Sequence, residues 1–262
     1  SGAAWRAVQE IKKFPELDLR GIHAHIGSQI FNLSGHVETA KLLIEFMARY
    51  RDEFGSELTE LDLGGGFGIS YLETDQPNSI PKIVETLSAA VTSACTSTSL
   101  KIPKVSIEPG RALIGPSMFT IYEVGTTKEV VLENGKVRNY VSVDGGMSDN
   151  IRPSLYGAIY TAKIANRESS SKTRDSRIVG KHCETGDIVV RDIQMPSDVK
   201  PGDLLAIPAT GAYGRSMANN YNHMTKPAVV AVSNGKARLI LRRETHADLL
   251  ALDVSESLRE LS

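Results

Sequence analysis

The sequence predicts an α/β region followed by an all-β region, and three features indicate this fold class. In roughly the first 117 residues, strand-like and helix-like patterns alternate, which is typical of a parallel sheet with helices between its strands. From Met118 onward, short apolar runs are separated by Gly, Pro and Asn turns, which is typical of antiparallel β structure. Asn134-Gly135 and Asn234-Gly235 each lie between two such runs and predict hairpins.

The α/β region, residues 1–117, is expected to be the C-terminal part of a (β/α)8 barrel. Apolar residues at helical spacing predict three helices, over residues 4–14, 36–54 and 80–95. Leucine-rich or β-branched runs predict three strands, over residues 19–26, 58–63 and 105–107. A closed parallel barrel of the common kind needs more strands than these. Either the sheet is small and open or, in line with the lack of an initiator methionine, the remaining strands are expected upstream of Ser1.

The β region, residues 118–262, is expected to be a small antiparallel barrel or sandwich that ends in a helix over residues 245–252. The polar stretch 168–175 is expected to be a mobile loop. Strands are predicted over residues 124–132, 137–143, 177–179, 187–192, 204–207, 228–233 and 237–241.

The composition excludes several classes of partner. The formal net charge is −1 with acidic and basic residues interspersed, so neither nucleic acid nor an anionic membrane is expected to bind. No apolar run approaches the length of a membrane span. Cys95 and Cys183 are far apart and are the only cysteines, which favours a reducing cytoplasm over a disulfide framework. No metal site is predicted.

Glycine-bearing segments follow two of the predicted strands and suggest a phosphate site. Glycine lets the chain approach a ligand and leaves backbone N–H groups free, as in Gly64-Gly65-Gly66 and in Glu108-Pro109-Gly110-Arg111. A carboxylate such as Glu108 cannot itself bind phosphate, so it serves a cation, for which a protonated pyridine nitrogen is one candidate. The alternatives are a simple strand-to-helix turn for the glycines and a surface ion pair between Glu108 and Arg111.

Six motifs occur in order along nearly the whole chain, and together they carry a family resemblance. They occupy residues 23–29, 61–68, 108–111, 144–150, 180–184 and 211–213. This set resembles the fold-type III, alanine-racemase-like pyridoxal-phosphate decarboxylases, and most of all the members that act on diaminopimelate. The resemblance implies pyridoxal 5′-phosphate as cofactor and decarboxylation of meso-diaminopimelate to L-lysine, the last step of bacterial lysine synthesis. It also implies a homodimer with active sites at the interface.

The resemblance assigns roles around the cofactor. The imidazole of His25 lies against the pyridine ring, whereas a lone strand histidine would otherwise be an interior residue. Glu108 keeps the ring nitrogen protonated, and Arg111 faces either the phosphate or a substrate carboxylate. Ser28 contacts the phosphate, although a serine at a strand end can equally cap a helix. The implied cofactor-binding residues are His25, Ser28, Gly64, Gly65, Gly66, Glu108, Gly110, Arg111 and Tyr213.

The resemblance also assigns roles toward the substrate, to which Arg111 and Tyr213 are expected to contribute as well. Arg152 and Tyr156 bind the carboxylate that is not lost, although without the other motifs they would be an ordinary exposed pair. Cys183 returns a proton to the product carbanion, and Glu184 binds the distal ammonium group. Both act on the cofactor of the partner subunit.

Polar neighbours on both sides of Cys183 predict that this cysteine is exposed, although most lone cysteines are core residues. Tyr221 and Asn222 are expected to line the same pocket as Tyr213. His23 shares a strand face with His25 and is expected to be structural.

The lysine that forms a Schiff base with the cofactor in this family has no counterpart in the expected place. Lys163, within the run Tyr160 to Asn166, is the only similar context, but it follows the 144–150 motif and is expected to be a solvated surface lysine. The sequence is therefore expected to be the C-terminal portion of a longer enzyme and to be inactive or poorly folded alone. The alternatives are a catalytically dead homologue, a non-catalytic regulator, or a decarboxylase for ornithine, arginine or carboxynorspermidine.

Overall fold

A computed structural model describes residues 2–254 of the chain. The described residues form two compact units. Unit 1 contains the residues up to Ser70 together with Thr74–Leu113, and unit 2 contains Tyr71–Glu73 together with the residues from Ile114 onward. The last residues of the predicted β region, 255–262, lie outside the described part.

Unit 1 alternates helices and parallel strands. Its elements are α1 (Ala3–Ile11), β1 (Gly21–His23), α2 (Ser34–Phe54), β2 (Glu60–Gly65), α3 (Ile80–Thr98), β3 (Lys104–Glu108) and the short α4 (Gly110–Ile114), whose last residue belongs to unit 2. The sheet order is β1-β2-β3 and both pairs are parallel, with Ile22 opposite Leu61 and Leu61 opposite Val105. The predicted alternation of helix and strand is confirmed. The carboxyl ends of the three strands consequently meet at one edge.

The apolar spacing of the two long helices explains how unit 1 folds. In α2, Ala40, Ile44 and Met47 recur at three- and four-residue intervals and are fully buried. In α3, Ile83 and Leu87 repeat the pattern, and each such side chain contributes about 2 kcal/mol when it leaves water. The side chain of Ser79 caps α3 by accepting a hydrogen bond from the N–H of Lys82.

Unit 2 is built on a mixed six-stranded sheet of order β6-β9-β4-β5-β7-β8. The β5–β7 pair is parallel and the other four pairs are antiparallel, so the prediction of an antiparallel sheet was wrong at this one pair. A separate two-stranded hairpin, β10–β11, follows. The elements are β4 (Thr120–Val131), β5 (Val137–Val143), α5 (Arg152–Tyr156), β6 (Lys163–Ile164), β7 (Thr173–Val179), β8 (Ile188–Pro196), β9 (Leu204–Ile207), α6 (Gly214–Met217), β10 (Val229–Ser233), β11 (Lys236–Leu241) and α7 (His246–Leu249).

Both predicted hairpins are confirmed. β4 and β5 pair antiparallel across a turn in which Gly135 has φ 77°, and the side chain of Asn134 accepts a hydrogen bond from the N–H of Lys136. β10 and β11 pair across Asn234 and Gly235, with φ of 50° and 71°. Two consecutive left-handed residues match the twist of the strands, which is why Asn-Gly is favoured there.

The bounds of several predicted elements differ in the structure, and one loop prediction was wrong. β1 covers only three residues of the predicted 19–26, and α7 ends at Leu249 rather than at residue 252. The stretch 168–175 is not wholly a loop, because β7 begins at Thr173. Ser169 and Ser171 each donate a hydrogen bond to Asp198, which fixes the polar segment before this strand.

Over the residues that the structure describes, no helix combines the length and apolar character needed to cross a membrane.

Candidate active site

In unit 1, two histidines and a glutamate come together at the carboxyl ends of the strands. His23 ends β1 and Glu108 ends β3. The Nε2 atom of His23 lies 3.3 Å from Oε2 of Glu108, and Nδ1 of His25 lies 4.0 Å from the same oxygen. All three side chains are about half exposed. The predicted neighbours His25 and Glu108 therefore share one open site, and His23, which was expected to be structural, lies even nearer to the carboxylate.

Asp62 completes this cluster. It is the register partner of His23 across β1 and β2. A ring nitrogen of His23 and one carboxylate oxygen each of Asp62 and Glu108, atoms of the kind that can bind a metal ion, lie within 4.8 Å of one another. Two carboxylates so close favour a positive charge at this edge of the sheet. The parallel pairing of adjacent strand ends could have identified Asp62, which the sequence analysis did not name.

The three consecutive glycines are required by the closeness of neighbouring backbone. A Cβ atom would lie less than 3.0 Å from the carbonyl oxygen of Ala24 at Gly64, of Glu108 at Gly65, and of Gly27 at Gly66. Gly64 and Gly66 also have φ of 65° and 86°, which disfavours any other residue. These contacts bring the β2 loop against the chain on both sides of it.

Two of the amides in this loop orient polar side chains. The N–H of Gly64 donates to Oδ1 of Asp62 at 2.8 Å, and the N–H of Gly65 donates to Nδ1 of His25 at 3.3 Å. A histidine that accepts at Nδ1 carries its proton on Nε2 when it is neutral. The loop therefore selects the tautomer of His25 and fixes the direction of the Asp62 carboxylate.

Ser28 and Arg111 form a second polar pair in unit 1. The Nη2 atom of Arg111 donates to Oγ of Ser28 at 2.9 Å, and Arg111 is only 8% exposed. A guanidinium beside a hydroxyl is a favourable place for a phosphate or carboxylate oxygen. The two residues are 83 positions apart, so the structure brings together a pair that only the resemblance had linked.

In unit 2, Cys183 and Glu184 lie beside Tyr221. Cys183 is exposed, which confirms that prediction, and its Sγ donates to Oε1 of Glu184 at 3.6 Å. The hydroxyl of Tyr221 donates to the same oxygen at 2.7 Å, and Nδ2 of Asn222 lies 3.5 Å from it. The hydrogen bond from Tyr221, followed by smaller contributions that include Cys183 and Asn222, lowers the pKa of Glu184. The pair is accordingly a thiol next to a carboxylate whose pKa lies below its usual value.

Asp187 holds the backbone around this pair. Its buried carboxylate accepts hydrogen bonds from the N–H of Met147 at 2.7 Å and from the N–H of His182 at 2.8 Å. Gly146 and Gly180 border it so closely that a Cβ on either would overlap the carboxylate. Asp187 thus joins the 144–150 motif to the 180–184 motif, a role that the sequence analysis did not identify.

Arg152 is buried between two tyrosines. Its Nη1 atom donates to the hydroxyl of Tyr71 at 2.9 Å and to that of Tyr160 at 2.5 Å. The guanidinium carbon also lies 5.2 Å from the centre of the Tyr71 ring, within the range of a cation–π interaction. Tyr156, four residues along α5, is 65% exposed. The sequence analysis named both Arg152 and Tyr156 but missed the two tyrosines that fix the arginine.

The remaining predicted positions are also exposed. Tyr213 precedes α6 and is 46% exposed. The side chain of Lys163 is 77% exposed and pairs with Glu73 at 3.5 Å, so the prediction of a surface lysine is confirmed. A cavity of about 330 Å³ is lined by Tyr140, His182 and Glu184, among others. A larger groove of about 580 Å³ beside Lys163 contains none of the predicted site residues.

Comparison with protein families identifies the family to which both halves of the chain belong. Residues 2–115 match the model described as pyridoxal-dependent decarboxylase, pyridoxal binding domain. Residues 69–211 match the model described as pyridoxal-dependent decarboxylase, C-terminal sheet domain. The chain belongs to the pyridoxal-dependent decarboxylases. The predicted family and its pyridoxal cofactor are thereby confirmed.

Individual relatives within this decarboxylase family carry a common name. The chain is 50% identical over 258 residues to a diaminopimelate decarboxylase of Mycobacterium tuberculosis, covering 97% of this chain and 58% of that protein. It is 46% identical over 254 residues to a diaminopimelate decarboxylase of Corynebacterium efficiens, covering 97% and 55%. The chain therefore spans little more than half the length of these decarboxylases.

A solved structure has a similar fold over nearly the whole of this chain. The diaminopimelate decarboxylase of M. jannaschii in complex with L-lysine aligns with a TM-score of 0.85 at 32% sequence identity. The alignment covers 97% of this chain and 56% of that one.

Proposed function

We propose that the protein to which this chain belongs removes one carboxyl group from meso-diaminopimelate and releases L-lysine. The observation that carries this proposal is the thiol–carboxylate pair of Cys183 and Glu184 in a chain 46–50% identical to diaminopimelate decarboxylases. An adjacent proton donor and carboxylate suit a substrate that needs a proton at one end and charge recognition at the other. The proposed substrate has an ammonium group and a carboxylate at that far end.

The residues of unit 1 suit pyridoxal phosphate. Glu108 offers a carboxylate to a pyridine nitrogen and so favours its protonated form. Arg111 with Ser28 offers donors to a phosphate, and the loop at Gly64 to Gly66 carries no side chain that would block its approach. When it is bound, the cofactor supplies a ring that accepts the electron pair released on loss of carbon dioxide.

Unit 2 supplies the groups for the far end of the substrate. Arg152 is held in a fixed direction by Tyr71 and Tyr160, which suits two parallel hydrogen bonds to a carboxylate. Tyr156 is proposed to assist it, and Glu184 is proposed to bind the ammonium group. This division explains why ornithine, which lacks the far carboxylate, would be a poorer substrate.

Cys183 is proposed to be the proton donor. Its Sγ holds a proton toward Oε1 of Glu184 and is exposed, so the thiol can turn from that oxygen to a substrate carbon. The hydrogen bond from Tyr221 lowers the pKa of Glu184 and so favours its ionised form while the proton leaves Sγ. A general acid in such a position contributes about 10²–10⁴-fold to the rate.

We further propose the larger architecture that the resemblance implies. Unit 1, with its parallel β1-β2-β3 order, would be part of a (β/α)8 barrel, and unit 2 would be a β-barrel or sandwich domain, with the boundary near residue 117. Two such chains would form a homodimer in which Cys183 and Glu184 serve the partner's cofactor. Two free cysteines without a disulfide suit a cytoplasmic enzyme.

The test is a substrate panel with the full-length protein and added pyridoxal phosphate. We expect carbon dioxide and lysine from meso-diaminopimelate, with kcat/KM at least about 100-fold above those for ornithine, arginine and carboxynorspermidine. Arg152→Lys, which keeps the charge but loses the planar fork, should reduce this preference. Equal or better turnover of a substrate without the far carboxylate would refute the proposal.

A further inference from the structure

The two oxygens of the Glu184 carboxylate differ in their hydrogen bonding. Three donors, the Tyr221 hydroxyl, the Cys183 thiol and the Asn222 amide, all point to Oε1. The other oxygen, Oε2, is buried and has no hydrogen-bond partner among the described residues. A buried carboxylate oxygen without a donor costs free energy, so this oxygen is arranged for a donor that arrives with a ligand.

The turn that carries Tyr221 is strained. Asn222 and His223, directly after it, have φ of 52° and 56°, a left-handed conformation that non-glycine residues seldom adopt twice in succession. Such strain persists only where surrounding contacts hold it, and it is concentrated at functional sites. Here the N–H of Tyr221 donates to Oδ1 of Asn219, and Nδ2 of Asn220 donates to Oε2 of Glu244 at 2.7 Å.

The ring of Tyr221 is fixed as well as its backbone. It meets the ring of His182 edge-on, with centroids 5.6 Å apart. His182 is buried, and its Nε2 lies 2.9 Å from Oγ of Ser148. The residue just before Cys183 therefore packs on the tyrosine whose hydroxyl bonds to Glu184. The hydroxyl has a defined direction before any substrate arrives.

We propose that Tyr221 is a positioning residue for substrate selection: it holds Oε1 of Glu184 so that Oε2 receives the ammonium group at the far end of the substrate. This inference rests on the proposed function. Some substrates carry that ammonium group and others lack it. In this proposal Tyr221 controls the discrimination between them, although it does not itself bind the substrate. Arg152 and Tyr156 recognise the far carboxylate separately.

The first test compares Tyr221→Phe with Tyr122→Phe in the full-length holoenzyme. Both variants lose only a hydroxyl, but that of Tyr122 in β4 is buried without a hydrogen-bond partner among the described residues. The substrates are meso-diaminopimelate and 2-aminopimelate, which keeps the far carboxylate but lacks the ammonium group. Tyr221→Phe should raise KM for meso-diaminopimelate about tenfold, and so lower its kcat/KM advantage over 2-aminopimelate by the same factor. Tyr122→Phe should leave that ratio unchanged.

The second test follows the ionisation of Glu184 in the full-length protein, by carbon NMR of labelled glutamate carboxyls assigned with Glu184→Gln. The titratable groups that face this carboxylate are Cys183 and Tyr221, and His182 lies behind the Tyr221 ring. Since the tyrosine lowers the pKa of Glu184, Tyr221→Phe should raise the pH at which Glu184 titrates. The acidic limb of kcat/KM should move to higher pH with it.

The outcomes separate the two proposals. An equal loss for both substrates, or a Glu184 titration that does not move, would overturn the role of Tyr221. If the wild-type protein decarboxylates neither substrate, the proposed function fails. In that case the Glu184 titration still decides whether Tyr221 controls this carboxylate.

Discussion

The two units position their chemistry in different ways. In unit 1, regular backbone places the candidate site residues: parallel strands end side by side, and close backbone contacts at Gly64 to Gly66 bring the loops together. In unit 2, hydrogen bonds of single side chains hold the candidate site residues in place: Asp187 joins two loops, and Tyr221 orients Glu184. A substitution that adds a side chain at these glycines should disrupt the arrangement in unit 1. Removal of a single hydrogen bond should disrupt the arrangement in unit 2.

The largest expected effect tests the chemistry proposed for unit 2. Cys183→Ala should reduce turnover of the full-length enzyme about 10³-fold, because the proposed proton donor is gone. The affinity for pyridoxal phosphate should change little, and both quantities can be measured by product release and by cofactor titration. Cys95→Ala, which removes the buried cysteine, is the matched control and should keep its turnover. Equal losses of turnover and cofactor affinity in Cys183→Ala would contradict the assigned role.

The next effect tests the backbone packing in unit 1. Gly65→Ala should destabilise the full-length protein by about 3 kcal/mol or more, since its Cβ would overlap the carbonyl of Glu108 and push β2 from β3. Urea unfolding measures this change. Gly110→Ala has open space around its Cβ and should be close to neutral for stability. If the two variants were equally stable, close packing would not explain the glycine run.

A smaller effect should follow from one side chain in unit 2. Asp187→Asn keeps the shape but replaces one acceptor oxygen by a donor that faces a backbone N–H. We expect a loss of about 2 kcal/mol in thermal or denaturant unfolding. Asp192→Asn changes an exposed carboxylate on β8 and should cost much less. A loss for Asp187→Asn no greater than that for Asp192→Asn would show that the buried carboxylate does not hold the two loops.

The smallest effect concerns pH. Hydrogen bonds from Ser169, then Arg167 and then Ser171 lower the pKa of Asp198 to about 2. A carboxylate with a lowered folded-state pKa stabilises the protein above its ordinary pKa, and the contribution disappears as the pH falls through about 4 towards 2. Asp198→Asn should flatten this part of the stability curve slightly, as measured by unfolding at several pH values. A curve identical to that of the wild-type protein would exclude the network as a source of acid sensitivity.

The same contrast explains what the sequence could predict. Helix α2 and both Asn-Gly hairpins follow from local patterns, and the edge that gathers His25 and Glu108 follows from parallel strands. The bonds from Arg152 to Tyr71, from Met147 to Asp187 and from Tyr221 to Glu184 join residues 81, 40 and 37 positions apart. Side-chain contacts at such distances leave no periodic signal, so only the folded chain reveals them.

The opposite environments of the two thiols have a practical consequence. Cys183 is exposed beside Glu184, whereas Cys95 is buried in α3. A mercury compound or a fluorescent maleimide should therefore attach at one position first, which yields a heavy-atom derivative and an optical reporter without any engineered label. Because that position adjoins the proposed ammonium site, slower labelling in the presence of an added amino acid would reveal its occupancy directly.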